Sequence, residues 1–127
     1  MRANGATVRF RADGPAPEIE ITIGQGQWGE YDIFLWDKNH NNPVRVGSGS
    51  NDDDEPDLWQ ISDNAAALAG RRLSWQVGIA APQAGPGQNW SLIVEFFQGD
   101  DSVAKFVDQG VLNSDIFFRD YVDFEVT

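Results

Sequence analysis

Asp37, Asn39 and Asn41 stand two residues apart in the run Asp37-Lys38-Asn39-His40-Asn41-Asn42. Oxygen-bearing side chains at that spacing in a tight loop can converge on one hard cation, as in the opening of a calcium loop. The remainder of that pattern departs. Asn42 occupies the place of the turn glycine, and Ser48 the place of the closing bidentate acid. The loop is therefore not an EF-hand. Asx residues also bond their own backbone and tolerate left-handed conformations, so a polar hairpin without an ion fits the same spacing. Ca2+ at Asp37, Asn39 and Asn41 would need further carboxylates, and Asp100, Asp101 and Asp63 are the candidates at the same end of the fold. No cofactor is required by any motif.

Asn51-Asp52-Asp53-Asp54-Glu55-Pro56-Asp57 is the second chemical feature. Its carboxylates repel one another. They recruit a cation, meet a basic partner through electrostatic steering, or form a solvated loop.

Trp28 lies in the small, amide-bearing stretch Gly24-Gln25-Gly26-Gln27-Trp28-Gly29, and Gln83 to Asn89 supplies more amides. A flat apolar ring beside amide groups suits stacking on a sugar and bonding its hydroxyls. A tryptophan plugging the end of a sandwich is the alternative. Phe34 and Trp36 on one apolar run, and Ile93 and Phe97 on another, fall out of phase with the core stripe and are expected on an outer face, with Phe106, Phe117 and Tyr121 as additions. Such a patch is either covered by the chain itself or marks a contact with a protein or a second copy.

Catalysis is not expected. The single histidine, His40, has no serine in a strand–turn–helix setting to activate, and Gly47-Ser48-Gly49-Ser50 lacks that context. No phosphate-binding loop, dinucleotide fingerprint or His-x-x-x-His pair is present. A pair of carboxylates acting as a hydrolase is the weakest of the functional readings, because twenty acids make such pairs common by chance.

The elements that would position these groups have period two. Glu18-Ile19-Glu20-Ile21-Thr22-Ile23 alternates without a fault. Val8 and Phe10; Tyr31, Ile33 and Leu35; Leu73, Trp75, Val77 and Ile79; Trp90, Leu92, Val94 and Phe96; and Val122, Phe124 and Val126 make the same stripe. Shorter strands are expected at Val44 to Gly47, Leu58 to Ile61 and Val103 to Val107. Asp120 falls on the apolar phase of the last strand, which predicts a bulge or break near it. Asp63 to Gly70 is the one helical candidate, about two turns at most.

Turn residues separate the runs at the spacing of an all-β, single-domain antiparallel β-sandwich spanning 1–127. About eight strands are expected, with at most one short helical turn near 63–70. The pattern resembles immunoglobulin-like, jelly-roll-like or carbohydrate-module sandwiches in architecture alone, which carries no function. If every connection reverses the chain, the loops at 24–29, 48–57, 80–88 and 109–114 share one end. Those at 38–42, 63–70 and 99–101 share the other.

Composition sets the outer bounds. Of 127 residues, 41% are hydrophobic and 12% aromatic, which excludes an acidic disordered chain. With no cysteine there is no disulfide, thiolate nucleophile or Cys-ligated metal. A net charge of -11 argues against nucleic acid and against an anionic membrane surface. Six acids and no base lie in 51–63, and seven acids against two bases in 100–125, so the rest of the chain is neutral. Glu18 and Glu20 are placed to face Arg9 and Arg11 across neighbouring strands. No apolar run follows Met1, which predicts a cytoplasmic chain, or a secreted one if a leader has been removed. Three functions remain: a non-catalytic module binding a protein or itself through the apolar face or acidic loop, a carbohydrate-binding module using Trp28 and the amide-rich loops with calcium as an optional stabiliser, and the hydrolase.

Overall fold

The computed structural model describes residues 2–24, 27–51, 55–80 and 87–127, apart from the side chain of Asn51. Residues 52–54 of the acidic run, 25–26 beside Trp28 and 81–86 of the amide-rich stretch lie outside the described residues.

Nine strands are described: β1 (Ala6–Phe10), β2 (Pro17–Gly24), β3 (Trp28–Trp36), β4 (Val44–Asn51), β5 (Asp57–Gln60), β6 (Arg72–Ala80), β7 (Gln88–Gln98), β8 (Asp101–Leu112) and β9 (Ile116–Val126). They form a five-stranded sheet in the order β1-β9-β6-β3-β4 and a four-stranded sheet in the order β5-β2-β7-β8. The expected helical segment contracts to a 3-10 turn, Ala65–Leu68. Asn64 caps it by accepting the Ala66 N–H, while Ala65 and Leu68 are buried. No helix among the described residues is long and apolar enough to cross a membrane.

The stripes expected to be apolar are the core. Ile19, Ile21, Ile23, Ile33, Leu73 and Val77 are fully buried, and Trp75 and Ile79 nearly so. Each stripe points inward because successive strand residues face opposite sides. Phe96 sits where the sheets meet, its ring 6.3 Å from Trp75, 6.3 Å from Phe106 and 6.0 Å from Phe124.

Strand directions match the expected sorting of loops, with one exception in pairing. β1 runs parallel to β9, Ala6 beside Val122 and Phe10 beside Val126, rather than antiparallel to a neighbour. Arg9 therefore meets Glu125 at 3.2 Å and Arg11 approaches Asp101 at 4.0 Å. Glu18 and Glu20 lie in the other sheet, so the expected cross-strand pairing with Arg9 and Arg11 is not made.

Asp120 also departs from expectation. β9 pairs with β6 in unbroken register through Asp120, without a bulge. The carboxylate is buried yet satisfied: it accepts the N–H groups of Ala3 (3.0 Å), Asn4 (2.8 Å) and Tyr121 (2.8 Å). An inward acid is tolerated because the N-terminal turn brings donors to it. That turn needs Gly5, whose φ of 78° is left-handed and whose added Cβ would sit 2.8 Å from the Tyr121 hydroxyl. The register shifts fall instead opposite Ile33/Phe34 and Phe96/Phe97, each on an edge strand, β4 or β8. Edge bulges twist a free edge away from unwanted pairing.

At the β4–β5 seam, the Tyr31 hydroxyl donates to Asp57 at 2.7 Å and accepts the Trp59 indole N–H at 2.9 Å. Burial, then donation to Asp57, pushes the Tyr31 phenol up to about 12. Its folded value is above the ordinary value of 10.0, so the neutral form is the one that folding favours. Stability from this group is complete below pH 10 and is lost as pH rises towards 12. Denaturation midpoints measured over that window are expected to fall more steeply for wild type than for Tyr31→Phe.

Candidate functional site

The outward residues of the five-stranded sheet fall into rows fixed by the strand registers. Trp28 pairs with Ala80. Ser50, Glu30, Gly78 and Phe117 make the next row. Ser48, Asp32, Gln76 and Arg119 follow, then Arg45, Phe34, Ser74 and Tyr121. Trp36, Arg72 and Asp123 close the face. The central strand β6 thus shows small or polar side chains along most of its length, with aromatic residues on β3 and β9 to either side. Neighbouring strands lie about 4.8 Å apart, so the two aromatic walls stand about 10 Å apart across a low floor.

Two depressions occupy this trough. The first, of about 460 Å³, is lined by Trp28 and Phe117 with Glu30, Ser50, Gly78 and Asp115. Trp28 is 54% exposed and Phe117 64% exposed, which removes the reading of Trp28 as an internal plug. Gly78 leaves the floor open: an added Cβ would meet nothing closer than Phe117 at 3.8 Å. The second depression, of about 480 Å³, lies between Trp36 and Tyr121, with Ser74, Gln76 and Arg119. The Trp36 indole N–H donates to Ser74 Oγ at 2.9 Å, which fixes the ring across β6. Arg72 stacks 4.1 Å from the Tyr121 ring centre and binds Asp123 through two N–H groups at 2.8 and 3.2 Å. His40 Nε2 is 3.8 Å from the same Asp123 carboxylate.

Of the residues expected to form one apolar patch, Phe34 and Trp36 share this face, alongside Trp28. Phe34 is half-buried, with the Arg45 guanidinium 5.9 Å from its ring centre. Ile93 and Phe97 lie on β7, on the outer face of the other sheet, beside Thr22 and Val107 and beside Glu18 and Ser102 respectively. The four therefore do not make a single surface. Phe106 is core. Phe117 and Tyr121 join the trough.

The Asp37 loop closes on itself. Asp37 Oδ1 accepts the N–H groups of Asn39 and Asn41 at 2.9 Å each, and Oδ2 accepts the Asn42 side-chain amide at 2.9 Å. The Asn41 N–H first, then the Asn42 amide, hold the Asp37 carboxyl below the usual carboxylate range. His40 and Asn42 have positive φ, as an Asx hairpin requires. Asp101 lies at the far corner with Arg11, and Asp100 is exposed beside it. Asp63 accepts the Gln60 amide. Among the described residues no three His, Asp or Glu side chains cluster together.

Gly78, Ser50, Asp115 and Arg119 were not singled out by sequence reasoning. The signal available was phase: Ser74, Gln76, Gly78 and Ala80 are the residues of β6 left out of its core stripe.

The described residues form a nine-stranded sandwich with an aromatic-walled trough on one sheet. No family model matches the sequence, and no curated protein matches it either. Two solved structures share the fold. One is a domain of unknown function, DUF4425, from Bacteroides vulgatus ATCC 8482, with TM-score 0.52 at 11% identity, covering 88% of this chain and 96% of that one. The other is a DUF4425 family protein from Bacteroides ovatus ATCC 8483, with TM-score 0.52 at 12% identity, covering 86% and 94%. At such identities the likeness concerns the fold alone.

Proposed function

We propose that this chain is a non-catalytic carbohydrate-binding module whose ligand lies along β6, between the aromatic walls of β3 and β9. The observation that carries this reading is the pair of exposed rings, Trp28 and Phe117, facing each other across the Gly78 floor with Glu30, Ser50 and Asp115 around them. Rings offer an apolar face for a pyranose, and carboxylates and hydroxyls bond sugar hydroxyls.

A protein partner suits this face less well. The buried centre of a protein interface is depleted in charged residues. Here Asp32, Gln76 and Arg119 cross the middle of the face and divide its aromatic residues into two groups. The hydrolase reading is also weaker. Glu30 and Asp115 both line the first depression, but each is exposed to water. A carboxyl acting as a general acid is usually desolvated. This reading does not depend on calcium, because Asp37 lines neither depression.

Binding to an array of neutral and acidic oligosaccharides tests the proposal. Wild type is expected to retain a defined subset, and Trp28→Ala or Phe117→Ala to weaken it about tenfold or more, the scale of a lost stacking contact. Both side chains are exposed, so each variant is expected to unfold with wild type. Binding unchanged in both variants would overturn the assignment of the trough.

A further inference from the structure

Seven arginines occur in the chain. Arg2 meets Asp108, Arg9 meets Glu125, Arg11 approaches Asp101, and Arg45 meets Asp32. Arg72 is held by Asp123, and Arg71 donates to the Trp36 carbonyl. Arg119 is the exception. Among the described residues its guanidinium meets no acceptor, although the chain carries twenty carboxylates. It projects from β9 between Phe117 and Tyr121, faces Gln76 across the strand pair, and lines the second depression. The opposing Asp32 is engaged by Arg45 at 3.5 Å.

We infer that the trough takes an acidic saccharide, with a uronate carboxylate on Arg119 and neutral sugar residues towards Trp28. This rests on the carbohydrate-binding reading and names the ligand class for the same site. The planar guanidinium presents a two-pronged donor edge that matches a carboxylate, while Gln76 and Ser74 beside it serve ring hydroxyls. The Trp28 end has the opposite character. Glu30 and Asp115 there accept from sugar hydroxyls and repel a second carboxylate. The two ends together select a chain in which a uronate is followed by neutral sugars rather than an unbroken polyuronate.

The experiment is a calorimetric titration with glucuronate-, galacturonate- and mannuronate-containing oligosaccharides, each beside its carboxyl-reduced counterpart. Wild type is expected to bind at least one acidic member about tenfold more tightly than its reduced form, the scale of a charge-assisted pair. Arg119→Gln is expected to abolish that preference, the acidic and reduced forms then binding alike, and Arg119→Lys to restore part of it. A guanidinium exposed on the outer face is not needed for folding, and matching thermal midpoints verify that. Equal binding of acidic and reduced forms, dependent on Trp28, would overturn the uronate inference and leave the saccharide reading standing. A preference for the acid that survives Arg119→Gln would also overturn it. No binding of any saccharide would remove both.

Discussion

Phe96→Ala is expected to cost about 3–5 kcal/mol of folding stability, the range for truncating a buried aromatic. Phe96 is fully buried and contacts aromatic rings from both sheets: Trp75 on β6, Phe106 on β8 and Phe124 on β9. Removing it takes away apolar contact and leaves a void bounded by large rings that cannot easily close over it. Tilted and edge-on ring pairs carry some additional attraction, which the same change removes. A whole small domain is commonly stable by only about 5–15 kcal/mol, so much of the margin would be lost. Urea unfolding is the measurement. The midpoint is expected to fall sharply with little change in slope, whereas a loss under about 1 kcal/mol would show that the sheets are not joined through this ring.

The second large effect is expected at a residue with no side chain. Gly47 lies on β4 with its α-carbon towards the core, and a Cβ added there would stand 2.5 Å from Trp59 Cδ2. Gly49, two residues on, is 2.7 Å by the same measure from the Tyr31 hydroxyl. These two gaps allow Trp59 and Tyr31 to reach each other and Asp57 across the seam. Gly47→Val places three carbons where the indole now lies. Overpacking of this kind costs about 1–3 kcal/mol, and here displacing Trp59 also breaks its bond to Tyr31. Ser48→Val, on the outward phase of the same strand, serves as the control and is expected to be nearly neutral. Thermal unfolding of both variants checks it, and a Gly47→Val protein as stable as the control would contradict this account of the seam.

Glu18 to Ile23 shows why so much of the fold was legible. Its alternation specifies both strand and buried face, and the strands at 31–35, 73–79 and 90–96 repeat the rule with the same result. Period two says nothing about which strands are neighbours. Phe34 and Ile93 looked alike on that basis, yet one is on each sheet, because sheet membership depends on long-range pairing that local pattern does not encode. Asp120 misled for a related reason. An acid in an apolar phase suggests a break until the N–H groups of Ala3 and Asn4, far away in sequence, are found beside it. The Asn39 and Asn41 spacing was ambiguous between ion and Asx turn, and the side chain of Asp37 is turned onto its own loop. Trp28 was recognisable as a candidate, but its facing wall was not, since Phe117 comes from a strand nearly ninety residues later.

The most direct test of the trough is a map of amide chemical shifts during titration with an oligosaccharide retained on the array. The account predicts saturable changes along β6, at Gly78, Gln76 and Ser74, and at Trp28 and Phe117 on the flanking strands, with the Trp28 indole N–H among the largest. Saturable changes centred instead on Ile93 and Phe97, on the outer face of the other sheet, would contradict it.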